Sequence, residues 1–357
     1  MKKIFPFISI SLGILLIVIS GLLFFSKDSP DVQTDEQPTN TTEANEPETF
    51  LSPLYLTIVV HTEEDTSSCR SPKANIPDYD GDETLLLHFT DKMREFGKLA
   101  RDHGAKINFG TDWTFSRGVA NFDSTFYQDM EAMGHEIDAH AHASCYNYME
   151  VKEEIIAAGG SPTSVVSGIS EEIIHDEFGF FNKLYPEFTI LWGVASPGHG
   201  AGEEMTSWVW RPSEDNWLEH DPEGKYIHIG HGAYTNSVES LIEAIENRKE
   251  NTINTYAVFL APRELLAETG TEGIAEQWTT TKKDCAYWEN KLEWWEEFFT
   301  ELDVYKKSGQ LEFASLTEVA TIFEEQEDNL IFDQSEIPRS DGAMGDTNEA
   351  AGYCIKK

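Results

Sequence analysis

The chain has 357 residues, of which 40% are hydrophobic and 12% aromatic, and this is enough apolar material for a folded core, so a chain that is disordered throughout is excluded. It carries 64 Asp and Glu against 26 Lys and Arg, for a formal net charge of −38. This charge repels phosphates and anionic lipid headgroups, so it argues against nucleic acid as a partner and against electrostatic docking on an acidic membrane.

The first 25 residues predict a membrane anchor. Lys2 and Lys3 precede an uncharged, mostly apolar run from Ile4 to Phe25, which as a helix is long enough to cross a bilayer core of about 30 Å. A cleaved signal peptide has a shorter apolar core and a small-residue cleavage site. The two lysines favour a cytoplasmic amino terminus. We therefore expect a single-pass protein of the cell membrane whose remaining residues lie outside the cytoplasm, or a secreted protein if the segment is cleaved.

Two acidic segments flank the predicted folded part. Residues 26–50 are rich in Asp, Glu, Thr, Asn and Pro and predict a disordered linker, and residues 324–357 predict an acidic carboxyl-terminal tail. The folded part is predicted to span residues 51–323. Disulfides are possible in an exported protein. One alternative is a bridge between Cys69 and Cys145, and the other is that the cysteines are free and buried. The pairing of Cys285 and Cys354 stays open as well.

Strands alternate with helices along the predicted folded part. The run LYLTIVV at 54–60 predicts a strand buried on both faces, and apolar residues at helical spacing over 84–103 predict a helix closed by Gly104. Further strands are predicted at 106–109, 136–140, 191–195, 208–210, 226–229, 256–260 and 311–314, and further helices at 122–133, 171–184, 238–248 and 288–306. Repeated strand–helix units without a Gly-rich phosphate turn after the first strand favour an α/β barrel over an open sheet.

Acids and histidines follow two of the predicted strands. The first strand ends in the sequence HTEED at 61–65, and the third ends in DAHAH at 138–142. Residues two apart on an extended chain project to the same side, so His140 and His142 can face one point. In a barrel the carboxyl ends of the strands meet at one mouth, so a carboxylate and two imidazoles there predict a catalytic site for zinc or another divalent transition metal. The alternative is a solvated loop and two surface histidines.

These stretches resemble the motifs of the NodB-homology polysaccharide deacetylases, also called carbohydrate esterase family four. The similar segments are TEEDT at 62–66, GHEI at 134–137 followed by the His140-x-His142 pair, WRP at 210–212 and IGH at 229–231, in the order of the family's motifs. The resemblance covers essentially the whole predicted folded part and implies a distorted (β/α) barrel of about seven strands. Three departures mark a divergent branch: Glu64 stands where the family has Asp, Ser144 where it has its second histidine, and no Gly follows Asp65.

The resemblance also implies an activity and roles for individual residues. It implies a metal-dependent hydrolase that removes N-acetyl or O-acetyl groups from a carbohydrate polymer. Asp65, His140 and His142 would bind a divalent metal, zinc or otherwise cobalt, nickel or manganese. Glu64 would be the catalytic base, and Arg211 would orient it and keep it ionised.

Two further sets of residues receive roles from the same resemblance. His231 would protonate the leaving amine, and His228 is the alternative, because a shift of one residue along the strand exchanges the two faces. Trp208, Trp210 and Pro212 would contact the substrate, although aromatic residues in a strand more often pack the core.

Two other functions stay open. A glycoside hydrolase on a related barrel would use two carboxylates without a metal, and these would be Glu64 with Glu63 or Glu214. A non-catalytic glycan-binding barrel would use neither a metal ion nor a catalytic carboxylate. Chelation separates the first alternative from a deacetylase, because only the metal-dependent enzyme should lose activity with EDTA.

Overall fold

The structure is a computed structural model that describes residues 50–62, 79–141, 146–167, 187–192, 209–213, 219–230, 238–260 and 291–332. Strands and helices follow one another along these ranges. Their order is β1 (Leu54–His61), α1 (Glu83–Asp102), β2 (Ile107–Thr111), α2 (Trp113–Phe122), α3 (Phe126–Ala132), β3 (Glu136–His140), α4 (Tyr148–Ala157), β4 (Val165–Ser167), β5 (Ile190–Trp192), β6 (Val209–Trp210), β7 (Ile227–Ile229), α5 (Val238–Glu246), β8 (Asn254–Leu260), α6 (Lys291–Lys307), β9 (Leu311–Phe313), α7 (Leu316–Gln326) and a 3-10 helix (Glu327–Asn329).

One sheet contains all the described strands. Its neighbours follow the order β6-β7-β5-β4-β3-β2-β1-β8, and β9 also pairs with the start of β1. Every pair is parallel except β6 with β7. The Thr255 hydroxyl of β8 donates to the Gly230 carbonyl just after β7 at 3.2 Å. The two ends of the strand order therefore approach each other, and the sheet is a nearly closed barrel.

The alternation of side chains along β1 divides the core into two layers. Leu56, Ile58 and Val60 belong to the cluster that packs the strands against the surrounding helices. Tyr55 and Val59 belong to the cluster inside the barrel. Both faces of the strand are buried, as expected for a parallel strand covered on both sides.

Helix α7, the last α-helix of the described residues, closes one end of the barrel. Its first backbone N–H, at Leu316, donates to the Asn108 side chain at the second residue of β2, and the Ser315 hydroxyl donates to Glu136 at the start of β3. Farther along α7, Val319, Ala320 and Phe323 belong to the interior cluster. We call this the closed end, and we call the opposite end, where the parallel strands finish, the mouth.

The predicted α/β barrel is confirmed, and most of its predicted elements are present. The predicted strands correspond to β1, β2, β3 and β5 to β9, and three of the predicted helices correspond to α1, α5 and α6. The helix predicted at 122–133 corresponds to the shorter α3, because α2 ends at Phe122 and α3 begins only at Phe126. The elements α2, α4, β4 and α7 were not predicted, and the described structure continues to Phe332.

Several predictions fall outside the described residues. These are the anchor at 1–25, nearly all of the linker at 26–50, the helix at 171–184 and the four cysteines. Among the helices that the structure does describe, none has the length and apolar character needed to cross a bilayer.

Candidate functional site

Two histidines face the barrel interior at the mouth. His61 is the last residue of β1 and His140 is the last residue of β3. His61 lies on the same face of β1 as Tyr55 and Val59, because side chains two residues apart share a face, and both of those residues belong to the interior cluster. Strand geometry therefore brings two imidazoles together from stretches nearly 80 residues apart in the sequence.

The two imidazole rings are in direct contact. Their centroids are 3.8 Å apart with a tilt of 35°, and the Trp192 ring at the end of β5 meets His61 edge-on at 5.3 Å. His61 is 5% exposed and His140 is 1% exposed. Imidazole nitrogens are ligands for zinc and related metals, and His140 is one of the predicted metal ligands.

Ser167 and Gly110 fix the surroundings of these rings. The Nδ1 atom of His140 lies 3.2 Å from the Ser167 hydroxyl oxygen, and the Tyr148 hydroxyl donates to the Ser167 carbonyl at 3.3 Å. A Cβ atom added at Gly110 would lie only 2.6 Å from Cδ2 of His61 and 2.7 Å from the Ser167 hydroxyl oxygen. Glycine at this position therefore makes the space that the ring and the hydroxyl occupy.

The inward face of β3 carries two acids below His140. Asp138 accepts hydrogen bonds from the Thr163 hydroxyl and, at 2.7 Å, from the Asn108 amide. The same amide donates to Glu136 at 2.8 Å. Burial raises the pKa of the Asp138 carboxyl, and the nearby Glu136 carboxylate raises it further. These acids belong to a buried network that leads to the closed end.

Arg211 lies toward the closed end. In the antiparallel pair, Val209 is opposite Ile229 and Trp210 is opposite His228, so the next residue, Arg211, comes level with the start of β7. The Arg211 Nε atom lies 2.9 and 3.0 Å from the two carboxylate oxygens of Glu327, in the 3-10 helix after α7. These contacts join Arg211 to the segment that follows α7 at the closed end. Glu64 lies outside the described residues, so the predicted role of Arg211 beside Glu64 stays a prediction.

Trp210 and His228 lie on the outer face of the sheet. Their rings are 4.3 Å apart, and each residue is 1% exposed. Ile227 and Ile229, on either side of His228, belong to the interior cluster, so His228 faces away from His61 and His140. In this position Trp210 packs the core, and the expected alternative to His231 as the acid does not reach the mouth.

The other predicted site residues can be placed only in part. Pro212 is buried and forms an isolated bridge with His220. The described residues contain no group of three or more His, Cys, Asp or Glu side chains arranged for a metal ion. Five predicted site residues lie outside the described residues. They are Glu64, Asp65, His142, Trp208 and His231.

Two residues of the site received no role from the sequence. His61 precedes the segment that resembles the first motif, so the resemblance gave it no function, although the alternation along β1 would have placed it inside the barrel. Ser167 ends a strand of only three residues, which is too short to show a periodic pattern.

The sequence matches no protein-family profile and no curated protein. In structure the chain is similar to Puue allantoinase, with 11% identity, a TM-score of 0.46, and coverage of 76% of this chain and 90% of that chain. It is also similar to a putative glycoside hydrolase/deacetylase from Parabacteroides distasonis, with 10% identity, a TM-score of 0.49, and coverage of 80% and 75%. A probable polysaccharide deacetylase from Pseudomonas aeruginosa PAO1 has 9% identity, a TM-score of 0.42, and coverage of 76% and 91%. At these scores the similarity assigns neither a substrate nor a metal to this chain.

Proposed function

We propose that this chain is a metal-dependent hydrolase that removes acetyl groups from a carbohydrate polymer outside the cytoplasm. One observation carries the proposal: His140 lies at the mouth of an α/β barrel, in contact with a second imidazole and hydrogen-bonded through Nδ1 to Ser167. This is the end of the barrel at which such folds carry their catalytic groups. The predicted ligands Asp65 and His142 follow the same two strands within a few residues.

The donor set suits a divalent ion of borderline hardness. His140, His142 and Asp65 would hold the ion, and zinc is the first expectation, with cobalt, nickel or manganese as substitutes. Bound there, the ion would act as a Lewis acid and lower the pKa of its water to about 7. The described part of this set fits, since His140 Nδ1 is engaged by Ser167 and the opposite edge of the ring carries the second nitrogen.

The chain's own residues would move the protons. Glu64 would take a proton from the attacking water at its carboxylate, and His231 would give a proton to the departing amine nitrogen. Glu64 is one methylene longer than the Asp of the family that the sequence resembles, so its carboxylate would approach the water from a different backbone position. The expected acceptor of the released acetyl group is water, which makes the overall reaction a hydrolysis.

The proposed location rests on the amino-terminal sequence. The apolar run at 4–25 after two lysines would anchor the chain with the barrel outside the cytoplasm. A barrel held at a cell surface by a linker would meet envelope or exterior glycans, and the net charge of −38 would keep it soluble there.

Acetate release by the full chain in detergent tests the proposal. The substrates are oligomers of N-acetylglucosamine and an O-acetylated glycan, each assayed with and without EDTA, and the metal content of the purified protein is measured in parallel. We expect EDTA to abolish acetate release and added Zn²⁺ or Co²⁺ to restore it. Glu64→Gln should retain the metal and lose about 10³-fold in rate, the usual contribution of a general base.

His140→Ala is the variant that should lose both metal and activity. His135→Gln is its matched control, because His135 is also buried beside β3 but both of its nitrogens bond to backbone atoms of Ile107 and Gly97. Activity that survives EDTA would favour the glycoside hydrolase instead. Glycan binding without any turnover would favour the non-catalytic barrel, and a fully metal-loaded His140→Ala protein would contradict the proposed ligand set.

A further inference from the structure

The hydrogen bond between His140 and Ser167 decides which nitrogen of His140 can act as a ligand. A neutral imidazole carries one N–H donor and one nitrogen with a lone pair. If Ser167 donates its hydroxyl proton to Nδ1, then Nε2 carries the hydrogen and cannot bind a cation. If Nδ1–H donates to the Ser167 oxygen, then Nε2 has the lone pair.

Ser167 is well placed to hold the ring in one of these states. His140 and Ser167 are direct neighbours in the pairing of β3 with β4, so the strand register fixes the distance between their Cα atoms. Ser167 is 1% exposed, and its carbonyl is tied to the Tyr148 hydroxyl. The face of the His140 ring is covered by His61. A buried hydroxyl on a paired strand loses little conformational freedom when it accepts this bond.

We propose that Ser167 is a positioning residue that accepts a hydrogen bond from Nδ1–H of His140 and thereby keeps Nε2 as the lone-pair nitrogen at the mouth. The direction of this bond rests on the proposed function, because an Nε2 ligand requires the hydrogen on Nδ1. Partners of this kind orient a ligating histidine and fix its tautomer, and their loss usually weakens metal affinity by about 10- to 100-fold.

The tautomer can be measured without metal and without substrate. Long-range ¹⁵N–¹H correlation spectra of the full chain, labelled with ¹⁵N-histidine and recorded in detergent at pH 8, report which nitrogen carries the hydrogen. At this pH imidazoles with the ordinary pKa of about 6.5 are neutral. His140→Gln identifies the His140 signals by their disappearance. We expect a protonated Nδ1 and an unprotonated Nε2 in the wild-type chain.

Ser167→Ala should move this equilibrium. We expect the His140 signals to shift toward the Nε2–H form, and the Kd for Co²⁺, followed by its visible absorption, to rise by about 10- to 100-fold. Ser116→Ala is the matched control, since it removes another fully buried hydroxyl, which bonds to Tyr127 at 2.8 Å and donates to the Asp112 carbonyl at 2.7 Å rather than bonding to His140. It should lower stability and leave both the His140 signals and the Co²⁺ affinity unchanged.

The outcomes separate this inference from the proposed function. An Nε2–H tautomer in the wild-type chain, or an Nδ1–H tautomer that persists in Ser167→Ala, would overturn the role of Ser167. If the tautomer behaves as expected but the wild-type chain binds no Co²⁺, the role of Ser167 stands and the proposed metal-dependent function fails.

Discussion

One strand connects two chemically different ends of the barrel. Glu136, Asp138 and His140 alternate along the inward face of β3, from the closed end to the mouth. At the closed end, both oxygens of Glu136 accept hydrogen bonds, among them one from the Ser315 hydroxyl, 179 residues away in the sequence. Both oxygens of Asp138 are also occupied, by Thr163 and Asn108.

At the mouth the same face of β3 carries an imidazole among other rings. His140 contacts His61 and bonds to Ser167. Gly110 has no Cβ atom, which leaves room for the His61 ring and the Ser167 hydroxyl. The closed end uses its polar atoms to tie distant parts of the chain together, so those atoms serve the fold. The mouth brings two imidazoles into contact. An apolar pair would pack equally well there, so the choice of two histidines points to a functional role.

Replacing Asn108 should test the closed end most severely. Asn108→Leu keeps the approximate volume but removes the donor shared by Glu136 and Asp138 and the acceptor for the Leu316 N–H. The two carboxyl groups would each lose one donor and the buried Leu316 N–H would lose its acceptor, which together should lower the free energy of unfolding by about 3 to 4 kcal/mol. Urea denaturation measures this loss. Asn147→Ala, which removes only the cap of α4, should cost about 1 kcal/mol.

The same variant tests whether the two ends are separate. The protein that remains folded should bind Co²⁺ as tightly as the wild-type chain. A large loss of Co²⁺ affinity with little loss of stability would show that the acids below His140 belong to the metal site.

Lowering the pH should test whether the fold holds His135 in its neutral form. His135 accepts the Ile107 N–H at Nδ1 and bonds to the Gly97 carbonyl at Nε2, and its burial lowers its pKa to about 4. The unfolded chain therefore binds this proton first as the pH falls. Its contribution to stability is fully present above pH 6.5 and is lost down to about pH 4, by about 3 kcal/mol in all.

Urea midpoints of the wild-type chain and His135→Gln, compared between pH 7.5 and pH 4, measure this contribution. We expect the difference in stability between the two proteins to shrink as the pH falls. His220→Gln is a useful comparison, because burial and the neighbouring Arg211 lower the pKa of His220 to about 4 as well. A difference that stays constant with pH would mean that His135 is not held neutral.

Gly110→Ala should disturb the mouth by a smaller amount. The new methyl group would overlap the His61 ring and the Ser167 hydroxyl, which should cost about 2 kcal/mol by overpacking. It should also weaken Co²⁺ binding, because the groups that would move contact His140. Gly160→Ala is the control: its methyl group would lie 2.8 Å from Ile155, away from the mouth. Equal effects of the two variants on Co²⁺ affinity would contradict the special role of Gly110.

The long strands and the long helices could be predicted from the sequence because each shows its own period. β1 is an unbroken apolar run of buried residues, and α1 places Phe89, Met93 and Phe96 on one face. β4 has only three residues, and tertiary pairing rather than a local pattern determines it. For that reason β4 escaped prediction, and Ser167 with it.

Only those features of the site that depend on residues close together in the sequence could be predicted. His140 was identified from its spacing to His142 and from the motif resemblance. The contact of His140 with His61 depends on the register of three strands, with His61 opposite Gly110 and Gly110 opposite Asp138, and no local pattern encodes that register. The partner of Arg211 was missed for the same reason, because Glu327 is 116 residues farther along the chain.

Arg211 and Glu327 give the smallest expected effect and the sharpest test of where Arg211 acts. Their pair is partly exposed, so Arg211→Met and Glu327→Gln should each lower stability by only about 1 kcal/mol, and the double variant should cost little more than either alone. If Arg211 serves only the closed end, acetate release by the folded enzyme should be the same in all three variants. If Arg211→Met abolishes acetate release while Glu327→Gln does not, Arg211 acts on Glu64 as the motif resemblance implies. The guanidinium would then have to leave a carboxylate that it contacts at 2.9 Å, so the closed end and the mouth would be coupled through this side chain.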